Sequence, residues 1–183
     1  MNAHTLAPQG LLRVTSSLSF ATIYLAPMLP AFRRLYPKLS VRIAVANRYL
    51  DFIEAGIDCA IRTRLHEADS NVVVRRLGRM RRALAASPDD LAHRGRPGTP
   101  ADLAKHEVLI HNLAADPFSL RLTKGDTERI VRISAALDCN DEQVIRQAAI
   151  AGLGILIEPL YIVQADIEQG AWFRSCSTGS YRC

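Results

Sequence analysis

The sequence predicts an α/β protein of two lobes, each a mostly parallel sheet flanked by helices, joined by crossover strands. Three observations predict it. From Leu11 to Ile61, apolar strand-like runs and helical segments alternate as β–α–β–α–β. The alternation returns between Leu137 and Gln169, and the stretch from Asn71 to Ala86 between them reads as extended chain. Short crossovers of this kind favour parallel strands covered by helices.

Composition narrows the class further. At 183 residues and 49% hydrophobic, the chain can pack one ordinary domain or two small lobes and is too apolar to be disordered. No apolar run approaches the ~18 residues of a membrane span. The opening MNAHTLAPQG has neither the basic start nor the apolar middle of a secretion signal, so a cytoplasmic location without membrane association is expected. Cys59, Cys139, Cys176 and Cys183 form no C-x-x-C pair, and the five histidines are scattered, so no metal and no disulfide framework is expected. Cys59 and Cys139 read as small buried hydrophobes. The formal net charge is +5, and Arg75, Arg76, Arg79, Arg81 and Arg82 crowd together. That run alternates with apolar residues and lacks aromatic residues for stacking bases, so a solvated strand face is preferred to a nucleic-acid patch.

Taken in order, Leu11 to Val14 is a strand running into the hydroxyl cluster Thr15, Ser16, Ser17 and Ser19. A helix follows, with Ile23, Met28, Ala31, Phe32 and Leu35 along one face. Ser17 or Ser19 caps it, and a free helix N-terminus behind a strand can also hold an anion. Pro27 should kink this helix and Tyr36-Pro37 should end it. Val41 to Val45 is the next strand, Asn47 a cap, and Tyr49 to Ala55 a two-turn helix leaving through Gly56. Ile57 to Ile61 is the third strand and Arg62 its exit. Parallel pairing gathers Ser16, Asn47 and Arg62 along one sheet edge, where open parallel sheets take ligands.

In the second half, Thr99-Pro100-Ala101-Asp102 has the form of a capping box, and Val108 to His111 is a strand. Ser119 to Thr123 and Glu128 to Ala135 make a hairpin turning at Lys124-Gly125-Asp126. Leu137 to Cys139 leads into Asn140-Asp141 and a helix from Glu142 to Ala151, closed by Gly152. Leu153 to Ile157 is a buried strand, followed by Glu158-Pro159 and a helix from Leu160 to Gln169. The two lobes describe a clamp in which Asn140, Asp141 and Glu158, with His111, face Ser16, Asn47 and Arg62.

Catalytic motifs are missing from the sequence: no G-x-S-x-G elbow, H-E-x-x-H or P-loop occurs. Gly152-x-Gly154 follows a helix and precedes a strand, the reverse of a dinucleotide turn. Asp141, Glu142 and Glu158 are read as caps or solvated charges in preference to an acid–base pair. No enzyme, no catalytic residue and no cofactor is expected.

The segments LRVTSSLSFATIYLAPMLPAFRRLYPKLSVRIAV, YLDFIEAGIDCAIR, VVVRRLGRMRRALAASPDDLAHRG, TPADLAKHEVL and AAIAGLGILIEPLYIVQADIEQGAW occur in an order that resembles the effector-sensing portion of LysR-type transcriptional regulators. The resemblance runs from about Gly10 to Trp172. It implies a periplasmic-binding-protein-like (type 2) fold that binds a small metabolite between its lobes and signals to a DNA-binding helix-turn-helix. It also implies effector contacts at Ser16, Ser17, Asn47, Arg48, Arg62 and Thr63 in the first lobe. In the second lobe the counterparts are His111, Asn140 and Gly154. Glu158 stands where the family usually has an apolar residue, which favours a cationic or polar effector, unless a nearby arginine pairs with it.

On this reading, residues 1–9 are a disordered leader, 10–84 lobe I, 85–164 lobe II, and 165–183 a return segment to lobe I with an atypical tail. The family's winged helix-turn-helix is not represented in the sequence, so DNA contact is expected only in a longer protein. A homodimer or tetramer is expected for the family. The tail FRSCSTGSYRC departs from the family's ending, as a truncated or frame-altered chain would. The alternative is a transporter's solute-binding protein, which shares the fold and against which the missing secretion signal argues.

Overall fold

A computed structural model describes residues 8–47, 55–63, 73–113, 116–124, 126–170 and 173–174. The chain divides into two compact units, residues 1–68 and 69–183. The expected leader (residues 1–7 of it), the helix over residues 49–54 and the tail from residue 175 lie outside the described residues.

The first unit is a three-stranded parallel sheet in the order β2-β1-β3. β1 (Gly10–Ser16) is central, pairing with β2 (Leu39–Val45) from Gly10↔Leu39 to Ser16↔Val45. The short β3 (Cys59–Ile61) pairs along its other side, from Val14↔Cys59 to Ser16↔Ile61. Between β1 and β2 run α1 (Leu18–Phe20), a π-helical stretch Ala21–Leu25 and α2 (Ala26–Leu35). The expected disturbance at Pro27 takes this form. Pro27 has no N–H to give the Ile23 carbonyl, and the winding just before it widens, so that the Ala26 N–H bonds the Ala21 carbonyl. The helix ends at Leu35, before Tyr36-Pro37. Gly56 takes φ 57°, the left-handed turn expected of it.

The apolar spacing of this helix does not translate into burial. No residue of α2 is buried, and Met28 and Leu35 are 63% and 73% exposed. Cys59, expected inside, is exposed, because β3 is an edge strand of this sheet.

The second unit has a five-stranded sheet in the order β10-β4-β9-β5-β8. Its parallel part is β9 (Ile155–Pro159), β5 (Val108–His111) and β8 (Ala135–Cys139). β4 (Arg82–Ala86) lies antiparallel to β9, and β10 (Phe173–Arg174) antiparallel to β4. Among the described residues of the long extended stretch expected from Asn71, only the last five form a strand. Residues 73–81 join no strand ladder, the Arg81 carbonyl accepting instead from the Leu160 N–H at 2.8 Å. The arginines of that run are exposed, and residues 69–84 group with the second unit.

Two cores cover the faces of this sheet. Leu84, Val108, Ile110, Ile155 and Ile157 pack with Leu91 of α3 (Pro88–Arg94) and with Leu120 and Leu122 of β6 (Ser119–Lys124). β6 forms the expected hairpin with β7 (Thr127–Arg132), through Lys124↔Thr127. On the other face Ala83, Ala85, Leu109 and Leu156 pack against Ile145 and Ala149 of α4 (Glu142–Ile150) and Ile162 and Val163 of α5 (Leu160–Glu168). Arg146 of α4 forms a two-pronged ion pair with the buried Asp166 of α5, its Nε donating to Oδ2 at 2.7 Å. The Thr99–Asp102 capping box forms at a 3₁₀ turn, Pro100–Lys105.

Candidate functional site

Both units end their parallel strands in a rim of polar residues. In the first, β1, β2 and β3 run in the same direction, so Ser16, Asn47 and Arg62 reach the same sheet edge. Ser16 is fully buried at the end of β1, and its Oγ has no hydrogen-bond partner. Its carbonyl accepts from the Ala46 N–H at 3.0 Å, which holds the exit of β2 beside it. Ser17 is the helix cap, its Oγ accepting from the Phe20 N–H at 3.3 Å. The half-buried Arg62 donates from Nη2 to Thr15 Oγ1 at 3.1 Å, and Thr15 Oγ1 in turn donates to the Ala44 carbonyl at 2.8 Å. Thr63 is exposed and Arg48 lies outside the described residues.

A buried hydroxyl at a strand end, at the same sheet edge as a guanidinium fixed by a second hydroxyl, makes that edge rich in donors. Such an edge suits an anion or a hydrogen-bond acceptor. Thr15, whose side chain anchors Arg62, was legible in the sequence only as one hydroxyl in a cluster.

In the second unit, β5, β8 and β9 end with His111, Asn140 and Glu158 at one edge. His111 Nε2 lies 3.2 Å from the Asn140 carbonyl oxygen, tying the ends of β5 and β8 together. Asp141 caps α4, its Oδ1 accepting from the N–H groups of Gln143 at 2.9 Å and Val144 at 3.2 Å. Glu142 and Glu158, expected to be caps or solvated, are buried instead, 6% and 2% exposed. Glu158 shares the face of β9 that Leu156 uses, beneath α4 and α5, where a strand gives it no route to solvent. Burial, then the Glu142 carboxylate, push its pKa up to about 8 against the pull of Arg82, with Asp141 adding to the rise. Among the described residues, the arginine alternative is not realised as an ion pair. Arg82 donates from Nη2 to the Ile157 carbonyl at 2.9 Å.

Gly154 is not part of this edge. It precedes β9 at the opposite end, about 13 Å from Glu158 at ~3.3 Å per residue. A Cβ there would lie 2.3 Å from the Glu107 carbonyl oxygen, so glycine serves close backbone packing. A cavity of about 40 Å³ beside Arg82, His111, Ser119 and Ile157 has room for water and none for a metabolite. Among the described residues, no group of His, Cys, Asp or Glu could hold a metal ion.

A two-unit α/β fold with polar strand-end rims defines a ligand-binding domain of the bilobal kind. The chain matches the LysR substrate binding domain over residues 6–175 and belongs to that family. It is 30% identical over 164 residues to the HTH-type transcriptional regulator DmlR of Escherichia coli K12, covering 89% of this chain and 53% of the relative. It is 26% identical over 164 residues to the activator TtdR of the same organism, covering 89% and 53%. Among solved structures it is similar to the CrgA regulatory domain, from a LysR-type regulator of Neisseria meningitidis. The TM-score there is 0.82, at 25% identity, covering 96% of this chain and 86% of the other. The fold is thus the periplasmic-binding-protein-like class expected. The relatives are transcriptional regulators, which favours the regulator reading over a transporter's solute-binding protein. The chain spans about half the length of the curated relatives it matches. No described helix is long and apolar enough to cross a membrane.

Proposed function

We propose that this chain is the effector-sensing part of a cytoplasmic LysR-type regulator and carries out no catalysis. A small metabolite binds this part of the protein and shifts its population toward one conformation. The longer protein, as a homodimer or tetramer, passes that shift to its helix-turn-helix. The observation that carries the reading is the first unit's rim, where the buried Ser16 Oγ has no partner at the end of β1 and Arg62 is held by Thr15. Leaving a buried hydroxyl unsatisfied costs free energy that a bound acceptor would recover. Ser16, Ser17, Asn47, Arg48, Arg62 and Thr63 form the proposed contacts of lobe I, with His111, Asn140 and Glu158 those of lobe II. Gly154 is left with a packing role.

A thermal-shift screen against aromatic acids, amino acids and small sulfur metabolites tests this. A specific effector raises the melting temperature in proportion to the logarithm of its concentration over Kd. A ligand recovered chemically unchanged supports sensing, and one turned over contradicts it.

A further inference from the structure

The stretch 73–81 carries a chemistry that the strand-end rims do not use. It holds Arg75, Arg76, Arg79 and Arg81 and no acidic residue. We infer that it is a cleavage site for a trypsin-like endopeptidase, which divides the chain after Arg75, Arg76 or Arg79, between the strands of the two units. The inference is independent of the effector reading.

A peptide chain is gripped in extended form, as an added strand whose backbone groups are free to pair with the host. Helices and paired strands must first open to offer such a backbone. Here nothing has to open. Every residue from 73 to 81 is exposed, Val73, Val74 and Leu77 by 97%, 71% and 78%. No helix or ladder includes these residues. Among the described residues, the backbone groups of 73–80 enter no backbone hydrogen bond. The Arg76 Nε donation to the Gly78 carbonyl, at 3.4 Å, is itself exposed. The accessible run ends where the Arg81 carbonyl accepts from the Leu160 N–H at 2.8 Å and Arg82 enters β4. The bonds after Arg81 and Arg82 are therefore held.

Other arginines lie in protected backbone. Arg33 and Arg146 sit in helices, and Arg42 and Arg121 in paired strands. An enzyme that selects basic residues does so with an acidic pocket for the side chain before the scissile bond, which the exposed arginines suit. In the step after Arg76, water adds to the Arg76 carbonyl carbon and the bond to the Leu77 nitrogen breaks. One water yields one carboxylate and one ammonium group, with no redox change. β1 to β3 lie before the cut and β4 to β10 after it, so neither unit loses a strand.

Trypsin added sparingly to the intact chain, with the cleaved bonds followed over time by mass spectrometry, tests this. The bonds after Arg75, Arg76 and Arg79 are expected to be cut about tenfold or more faster than those after Arg33, Arg121 and Arg146. Their rate should stay constant up to about 1 M urea, because no opening precedes the cut. Arg75→Gln combined with Arg76→Gln and Arg79→Gln should remove the early fragments, with circular dichroism and melting temperature as in wild type. Equal rates at the exposed and the helical or strand bonds overturn the inference, as does a rate that climbs steeply with urea. Early fragments that persist in the triple variant overturn it as well.

Discussion

Arg62 reaches back across 47 positions of sequence to donate to Thr15 Oγ1 at 3.1 Å, tying the exit of β3 to the buried end of β1. Thr15 passes the link to the Ala44 carbonyl of β2, so one side-chain chain spans all three strands of the first sheet. A guanidinium held this way is oriented before any ligand arrives, which lowers the ordering cost of binding.

Ser16→Ala and Arg62→Ala are each expected to weaken effector binding by about 1–3 kcal/mol, the worth of a hydrogen bond to a charged group. The fold should survive both, since Thr15 keeps its bond to Ala44. Calorimetric Kd values check this, and affinity unchanged in both variants removes these residues from the site.

Gly154→Ala should destabilise the second unit by about 1–3 kcal/mol. The added Cβ would sit 2.3 Å from the carbonyl oxygen and 2.9 Å from the carbonyl carbon of Glu107, and backbone cannot swing aside as a side chain can. Urea unfolding measures it. A midpoint equal to wild type would show that the close approach is not tight.

Arg146→Ala leaves Asp166 buried and without its ion-pair partner between α4 and α5, and should cost roughly 3 kcal/mol. Replacing both residues with apolar ones, Arg146→Met with Asp166→Leu, should recover most of that loss. Failure of the double variant to recover would place the value of the pair in its hydrogen bonds instead of in desolvation.

Glu158 also makes stability depend on pH. Its folded pKa, about 8, lies above the ordinary value of 4.5, so the folded state holds a proton that the unfolded state has released. Its contribution is full below about 4.5, declines as pH rises, and is gone above about 8. Glu158→Gln should flatten the fall in unfolding midpoint between pH 5 and 8. An unchanged slope would show that Glu158 ionises normally.

Much of this arrangement is visible in the sequence because it is local. A hydroxyl before a helix caps it, as Ser17 does, and Thr99 with Asp102 forms its box across three residues. The alternation of strands and helices also put Ser16, Asn47 and Arg62 at strand exits. What stayed hidden depends on contacts far apart in the chain. The extended arginine run reads as a strand throughout, yet among its described residues only Arg82–Ala86 joins a ladder, with β9 and β10. Gly154 and Glu158 look alike as residues near a strand end, and only the direction of β9 separates the packing end from the rim. The burial of Glu158 follows from which face α4 and α5 cover, a fact no window of sequence contains. The exposure of Met28 and Leu35 is similar, since spacing defines an apolar face without supplying what covers it.

The most direct test of effector sensing is a metabolite-induced melting shift compared across wild type, Ser16→Ala and Arg62→Ala. The account predicts a concentration-dependent rise in wild type that shrinks sharply in both variants, with the metabolite recovered intact. A shift of the same size in all three proteins, or chemical conversion of the metabolite, would contradict it.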